Sequence, residues 1–287
     1  MNIKELTLKS PDYPQSLRDI HSPPNQLFVR GASLTELLKR PVVAVVGSRR
    51  TTPYGQQVTV ELATKLAEQG VVIVSGLALG IDALAHQSAL AAGGTAIAVL
   101  PGPVDHIVPA TNYRLAQQIL DNGGVLVSEY PSGTPALKQQ FIARNRIVAG
   151  LCQALVITEA GEKSGALHTA RFASDQGKDV LVVPNNIHAR QSIGTNNLLK
   201  RGAGVVTSID DILHALNLVP HVTIVKKVRG RNAHEQLVLN LMLEGVTAGH
   251  VLLERSGLNA IQFSQVLTML EIGGKIRPLG ANHWAIF

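Results

Sequence analysis

Short apolar runs return along this chain at residues 42–46, 71–74, 96–100, 125–127, 155–158, 180–183 and 205–206, each parted from the next by a helical or turn pattern. Val, Ile, Leu and Ala fill these runs without a polar alternation, so each strand is expected to be buried on both faces. Strands that alternate with helices give a parallel sheet with helices on both sides, joined by right-handed crossovers. In such sheets ligands gather beyond the carboxyl ends of the strands. Four turns fall there: Gly47-Ser48-Arg49, Ser75-Gly76, Pro101-Gly102 and the loop 159–165. The expected fold is therefore α/β, a Rossmann-like, doubly wound and mostly parallel sheet.

After about residue 216 the pattern changes. Residues 221–232 carry Lys226, Lys227, Arg229 and Arg231 with no helical period, as in a basic linker. Helical patterns follow at 234–243, 248–256 and 261–272, and then two short strands at 275–278 and 283–287. Three helices and a hairpin suggest a small C-terminal winged-helix domain. The expected organisation is a short N-terminal segment at 1–38, a Rossmann-like domain at 39–216, a linker at 217–233 and the winged helix at 234–287. The third helical pattern has Glu271 as its only charge, which speaks against phosphate attraction and for a protein contact or accessory role.

With 287 residues and 45% hydrophobic content the chain can bury a sizeable core, and no apolar run is long enough to span a bilayer. A single cysteine excludes a disulfide framework within one chain. The N-terminus has no basic region followed by an apolar one, so no secretory signal is expected and the cytoplasm is the expected location. Lys and Arg number 26 against 20 Asp and Glu, which favours an anionic partner.

The strand ends carry the chemistry. VVAVVGSRR places Gly47 where the strand stops, with Arg49 and Arg50 beyond it, so backbone amides and a guanidinium can face one phosphate. Neither GxGxxG nor GxxxxGK[ST] follows, which removes the usual supports for nicotinamide chemistry and nucleotide hydrolysis. VVIVSGLALGIDALAH sets Asp82 and His86 on one helical face near Ser75, but there is no nucleophile elbow. A carboxylate bonded to backbone and a packed imidazole are favoured, and no catalytic residue is assigned. The ten histidines form no metal-ligand pattern, and neither metal nor cofactor is expected. In KQQFIARNR, Phe141 lies beside Lys138, Arg144 and Arg146, where a ring can stack on a base while cations hold its phosphate. Burial of Phe141 and pairing of the arginines with Glu129 or Glu159 is the competing reading. The helix expected from about Ala166 aims its free N–H groups at the loop before it. Cys152 is expected to be inert packing.

VGSRRTTPYG, SGLALGIDALAHQSAL, GGTAIAVLPGPVD, GGVLVSEYPSG, FIARNRIVAG, SGALHTA and IGTNNLLKRGA stand in the order found in the DNA-processing protein A family (DprA, also called Smf), over about residues 13–203. The resemblance implies an extended Rossmann fold that binds single-stranded DNA without sequence preference, loads the RecA recombinase in natural transformation and works as a homodimer. It implies a DNA site made of Arg49, Lys138 and the stacking ring Phe141, with Gly47, Ser48 and Gly76 giving backbone and small-side-chain contacts, and Arg144 and Asn145 in the same motif. Val108, Ile142 and Asn185 depart from the Tyr, Pro and Gly usual in the family, and the larger N-terminal helical domain of many relatives has no counterpart ahead of the first expected strand. A nucleotide phosphoribohydrolase of related fold is the alternative, but no Pro-Gly-Gly or Gly-Thr-x-x-Glu follows the strand at 155–158. A regulator acting on DNA through the winged helix is disfavoured by its weakly charged third helix.

Overall fold

The computed structural model describes residues 3–218, 230–244, 246–280 and 282–286. Two compact units divide at residues 220 and 221. Lys226, Lys227 and Arg229 of the expected linker lie outside the described residues.

In the first unit, β1 (Ile3–Thr7), α1 (Gln15–Arg18), β2 (Gln26–Gly31) and α2 (Leu34–Leu37) lead into β3 (Val42–Val46), α3 (Pro53–Glu68), β4 (Val72–Ser75), α4 (Ile81–Ala91) and β5 (Ala96–Val99). There follow α5 (Tyr113–Asp121), β6 (Val125–Ser128), α6 (Lys138–Leu151), β7 (Ala154–Ile157), α7 (Ala166–Asp175), β8 (Asp179–Val182), α8 (Ile193–Lys200), β9 (Gly204–Val205) and α9 (Ile209–Ala215). One nine-stranded sheet runs β1-β2-β6-β5-β4-β3-β7-β8-β9. From β6 to β9 every pairing is parallel. All seven expected strands are present within a residue of their sequence positions. Two more, β1 and β2, were not foreseen and extend the sheet antiparallel from β6.

The all-buried strands divide their side chains between two layers. Val42, Ala44 and Val46 face α6, packing with Ile147, Val148 and Leu151, while Val43 and Val45 face the layer built by Leu62 and Leu66 of α3 and Ala85 and Ala89 of α4. The chain winds from β3 outward to β6, then crosses back by α6 to lay β7 on the other side of β3. That reversal opens a crevice between the carboxyl ends of β3 and β7. Helix α3 starts there because Thr52 caps it, accepting from the Gly55 N–H at 3.2 Å, with Pro53 in its first turn.

Residues ahead of β3 brace the far end of α6. Leu17 of α1 is fully buried in the layer that holds Ile147 and Leu151. The Tyr13 hydroxyl donates to the Pro24 carbonyl at 2.6 Å. Arg146 of α6 donates from Nε to the Ser22 carbonyl at 2.8 Å and grips Glu129 with both terminal nitrogens, at 2.7 and 2.6 Å. Of the two carboxylates that could pair with the arginines, Glu129 is the one that does so.

In the second unit, α10 (Ala233–Leu243), α11 (Gly249–Ser256) and α12 (Ala260–Ile272) precede the antiparallel hairpin β10 (Ile276–Gly280) and β11 (His283–Ile286). Val238, Leu239, Leu252, Phe263, Val266, Leu270 and Ile276 form its core. Gly257 ends α11 in the left-handed conformation, with φ of 64°. Asn259 and Gln262 form a reciprocal cap at the start of α12. This is the winged-helix order of elements.

The Glu129–Arg146 fork leads to a stability prediction. Removing one side strands the other charge in a site where the side chains are only 13% and 15% exposed. Glu129→Ala should cost about 2 kcal/mol in urea unfolding. The Glu129→Ala/Arg146→Ala double variant should lose less than the sum of the single losses.

Candidate nucleic-acid interface

A cleft of about 850 Å³ opens where β3, β4 and β7 end, and the first two turns of α6 form one wall. All eight residues nominated from the sequence, Gly47, Ser48, Arg49, Gly76, Lys138, Phe141, Arg144 and Asn145, line it. They come from three separate stretches of chain, which the switch in winding direction brings to one point.

The turn after β3 is built by close approach. A Cβ at Gly47 would stand 2.6 Å from Ile81 Cγ1 and 2.7 Å from the Glu159 carbonyl, so only glycine lets β3, α4 and the β7 loop meet there. The Ser48 N–H donates to the Glu159 carbonyl at 2.8 Å, and its hydroxyl donates to the Arg50 carbonyl at 2.7 Å. Arg49 is thereby projected outward, exposed, with its guanidinium carbon 5.3 Å from the centroid of the half-buried Phe141 ring. Cation and ring form one stacked unit. Lys138 is exposed at the first position of α6, where the unsatisfied N–H groups and positive end of the helix add to its charge.

Arg144 sits differently from its nominated neighbours. Only 3% exposed, it lies beneath the cleft and donates from Nη1 to the carbonyls of Gly76 and Val99. Asp82 accepts from the Gly76 N–H at 3.1 Å, so one peptide segment is held by an anion on its amide and a cation on its carbonyl. Burial draws the Arg144 pKa down to about 10, the Asp82 charge opposes this and Arg49 adds to it; the guanidinium stays charged at neutral pH. Burial raises the Asp82 carboxyl, with Arg144 the main opposing influence. Arg144 thus shapes the floor of the cleft, while Arg49, Arg50, Lys138 and Lys163 are its exposed cations. Asn145 bridges α6 to the loop before α7, donating to the Gly165 carbonyl at 3.3 Å.

Glu159 has a structural task. Fully buried, it accepts from Thr52 N at 2.9 Å and Thr52 Oγ1 at 2.6 Å, fixing the start of α3. Ser75 donates to the Val45 carbonyl at 2.6 Å, and His86 is buried completely, so Ser75, Asp82 and His86 are packed as the backbone-bonded reading expects. Burial pushes the Cys152 thiol up to about 12. Sequence reasoning missed Lys163, His168 and Gln191, which also line the cleft. Lys163 falls in the loop beyond β7 and could have been found by the sheet-edge rule. Gln191 comes from a single 3-10 turn at Arg190–Ser192 with no local signal. Ile142, one of the departures from the family pattern, lies on the rim and is 45% exposed.

Residues 4–217, nearly the whole α/β unit with this cleft, match the family described as DNA recombination-mediator protein A. The chain belongs to that family. The DprA winged helix domain matches residues 227–282. Among relatives of this DNA recombination-mediator protein A member, protein Smf of Synechocystis is 41% identical over 221 residues, which is 76% of this chain and 55% of that protein. DNA processing protein DprA of Streptococcus pneumoniae is 43% identical over 201 residues, 70% of either chain. The chain thus spans about half the length of the Synechocystis relative and more of the pneumococcal one. The solved structure of pneumococcal DprA superposes with a TM-score of 0.69 at 39% identity, covering 75% of this chain and 74% of that one. DNA processing protein A of Helicobacter pylori superposes with a TM-score of 0.66 at 36% identity, over 75% and 97% of the two chains, and its study concerns the single-stranded DNA binding mode of that protein.

His86, buried behind the cleft, sets an acid sensitivity. Burial and the Arg144 charge push its imidazole from 6.5 down to about 3. Between those values the unfolded chain holds a proton that the folded chain does not. Stability contributed above pH 6.5 is therefore lost as pH falls, by about 1.4 kcal/mol per pH unit for this one group. Urea midpoints measured across this window should fall less steeply in His86→Leu than in the parent chain.

Proposed function

We propose that the cleft binds single-stranded DNA without sequence preference, and that the protein acts in DNA recombination as a homodimer in the cytoplasm, delivering the strand to the RecA recombinase. Arg49 stacked against Phe141, with Lys138 close by on the same wall, is the observation that carries the reading. A ring face takes any base, and exposed cations take the phosphates on either side. Family membership and the Helicobacter pylori study support the ligand class, while RecA loading and the dimer rest on the resemblance. The hydrolase alternative lacks its Pro-Gly-Gly and Gly-Thr-x-x-Glu motif beyond β7, both oxygens of Glu159 are engaged by Thr52, and the exposed Glu162 does not line the cleft. A binding role is preferred to catalysis on that ground.

Arg144 has a positioning role in this reading, holding Gly76 in place beneath the strand, while Gly47, Ser48 and Gly76 let the sugar-phosphate chain approach the backbone. Asn145 keeps the α7 loop against α6.

Titration with labelled oligonucleotides tests the proposal. Single strands should bind in preference to duplex at matched salt, since a paired base cannot reach the ring; equal affinity would overturn the assignment. Phe141→Ala should cost about 1–3 kcal/mol of affinity with little change in salt dependence. Lys138→Ala should lower the salt slope by about one. Because Arg49 and Phe141 touch, their alanine substitutions should combine non-additively. Deleting residues 234–287 should weaken binding much less than Phe141→Ala.

A further inference from the structure

The turn that follows β4 takes a conformation that its residue types do not favour. Leu77 has a φ of 52°, in the left-handed region that glycine enters freely and a bulky apolar residue does not. Asn217 and Asn282, the other non-glycine residues with positive φ among those described, are of a type that tolerates it. The conformation of Leu77 is therefore held from outside. It sends the fully buried Leu77 side chain into the layer of Leu100, Val104 and Leu115, while Gly76 and Ala78 on either side line the cleft.

Three side chains hold the backbone of this turn. Two are the charged pair, Asp82 on the Gly76 N–H and Arg144 on the Gly76 carbonyl. The third is Asn112, which is only 8% exposed and stands outside the lining of the cleft. Its Nδ2 donates to the Leu77 carbonyl at 2.9 Å and to the Ala78 carbonyl at 3.3 Å. Two successive carbonyls thus converge on one nitrogen, which an amide with two N–H groups can serve and an ionised carboxylate cannot. The Asn112 N–H itself donates to the Pro109 carbonyl at 3.0 Å, so the side chain is presented from a closed turn just ahead of α5.

Arg49 is the residue that this turn controls. At the far end of the turn Gly80 lies against the backbone after β3, where a Cβ would stand 2.3 Å from the Ser48 carbonyl and 2.8 Å from Arg49 Cα. The Ile81 N–H donates to that same carbonyl at 3.1 Å. A shift of residues 77–80 is passed by direct contact to the residue whose guanidinium stands over Phe141. We infer that Asn112 is a positioning residue for the bound DNA strand: it keeps Leu77 left-handed and thereby sets where Arg49 meets a phosphate. The inference rests on the DNA-binding reading of the cleft. Removing the amide takes the donor from the Leu77 carbonyl and lets the turn relax toward negative φ, which carries Arg49 away from the ring.

Titration of full-chain variants with labelled single-stranded oligonucleotide tests it, at a temperature where circular dichroism shows each variant folded. Asn112→Ala should bind on the order of tenfold more weakly, with the parent's salt slope because no cation is removed. In an Arg49→Ala background the same change should cost about twofold or less, since the group it positions is gone. Equal losses in both backgrounds mark a purely structural role, and that result or an unchanged affinity overturns the inference. Asn112→Asp keeps the shape but loses its donors when ionised, and a protonated carboxyl regains one. Its affinity relative to the parent should therefore rise from about pH 8 to about pH 5, while the Asn112→Ala ratio stays level. A level ratio for Asn112→Asp counts against the inference, and this series decides alone if Asn112→Ala does not fold. Should the parent chain itself not bind, the DNA-binding reading fails instead. The backbone amide resonance of Arg49 then decides whether the turn is coupled to Asn112: displaced in either Asn112 variant it supports the coupling, and unmoved it refutes it.

Discussion

A single buried guanidinium ties together the strand ends on which the cleft is built. Arg144 reaches from α6 under the sheet edge to the carbonyls at the ends of β4 and β5, and Asp82 of α4 answers it from the other side through the Gly76 amide. A charge this deep is costly unless every donor finds an acceptor or a counter-charge. Two backbone carbonyls accept from Nη1 and the Asp82 carboxylate opposes the charge, while Nε stays buried without a hydrogen-bond partner, so the cost is offset in part. Two strand ends and two helices are thus held in one electrostatic unit, and the exposed cations stand above it.

Rigidity below allows adaptability above. Arg49 and Lys138 carry long side chains in solvent, and Phe141 is half-buried, so the upper layer can adjust to a chain whose bases differ. The peptide geometry at Gly47 and Gly76 cannot adjust in that way, since side-chain and backbone atoms crowd both positions. Shape comes from the fixed layer and charge from the mobile one.

How much of this could be read from the sequence depended on whether the physics was local. The seven parallel strands were legible because strands buried on both faces are apolar throughout, and the cleft was legible because glycines and cations follow the strand ends. Strands β1 and β2 were not. In β1 only Leu6 is buried, so IKELT has no apolar run to distinguish it from a loop. Phe28 and Val29 of β2 sit in a stretch too mixed for the same reason. The burial of Arg144 was hidden because arginine is ordinarily exposed, and its acceptors lie 68 and 45 residues away in sequence. Gln191 joins the cleft by an equally distant route. Chemistry was readable wherever a strand end announced it, and positioning by remote backbone was not.

The bracing of α6 by the first thirty residues changes what that part of the chain is. Leu17 packs so closely on the helix that a methyl group at Gly150 would stand 2.5 Å from it. Arg146, two residues beyond Arg144, is anchored to Ser22 and Glu129. The same helix therefore has its back clamped by the start of the chain and its front open to the cleft. Mechanically it is a lever with its fulcrum at the N-terminal segment: a change of sequence in the loop around Ser22 alters the seat of the helix, and with it the angle at which Lys138 and Phe141 are presented on the far side.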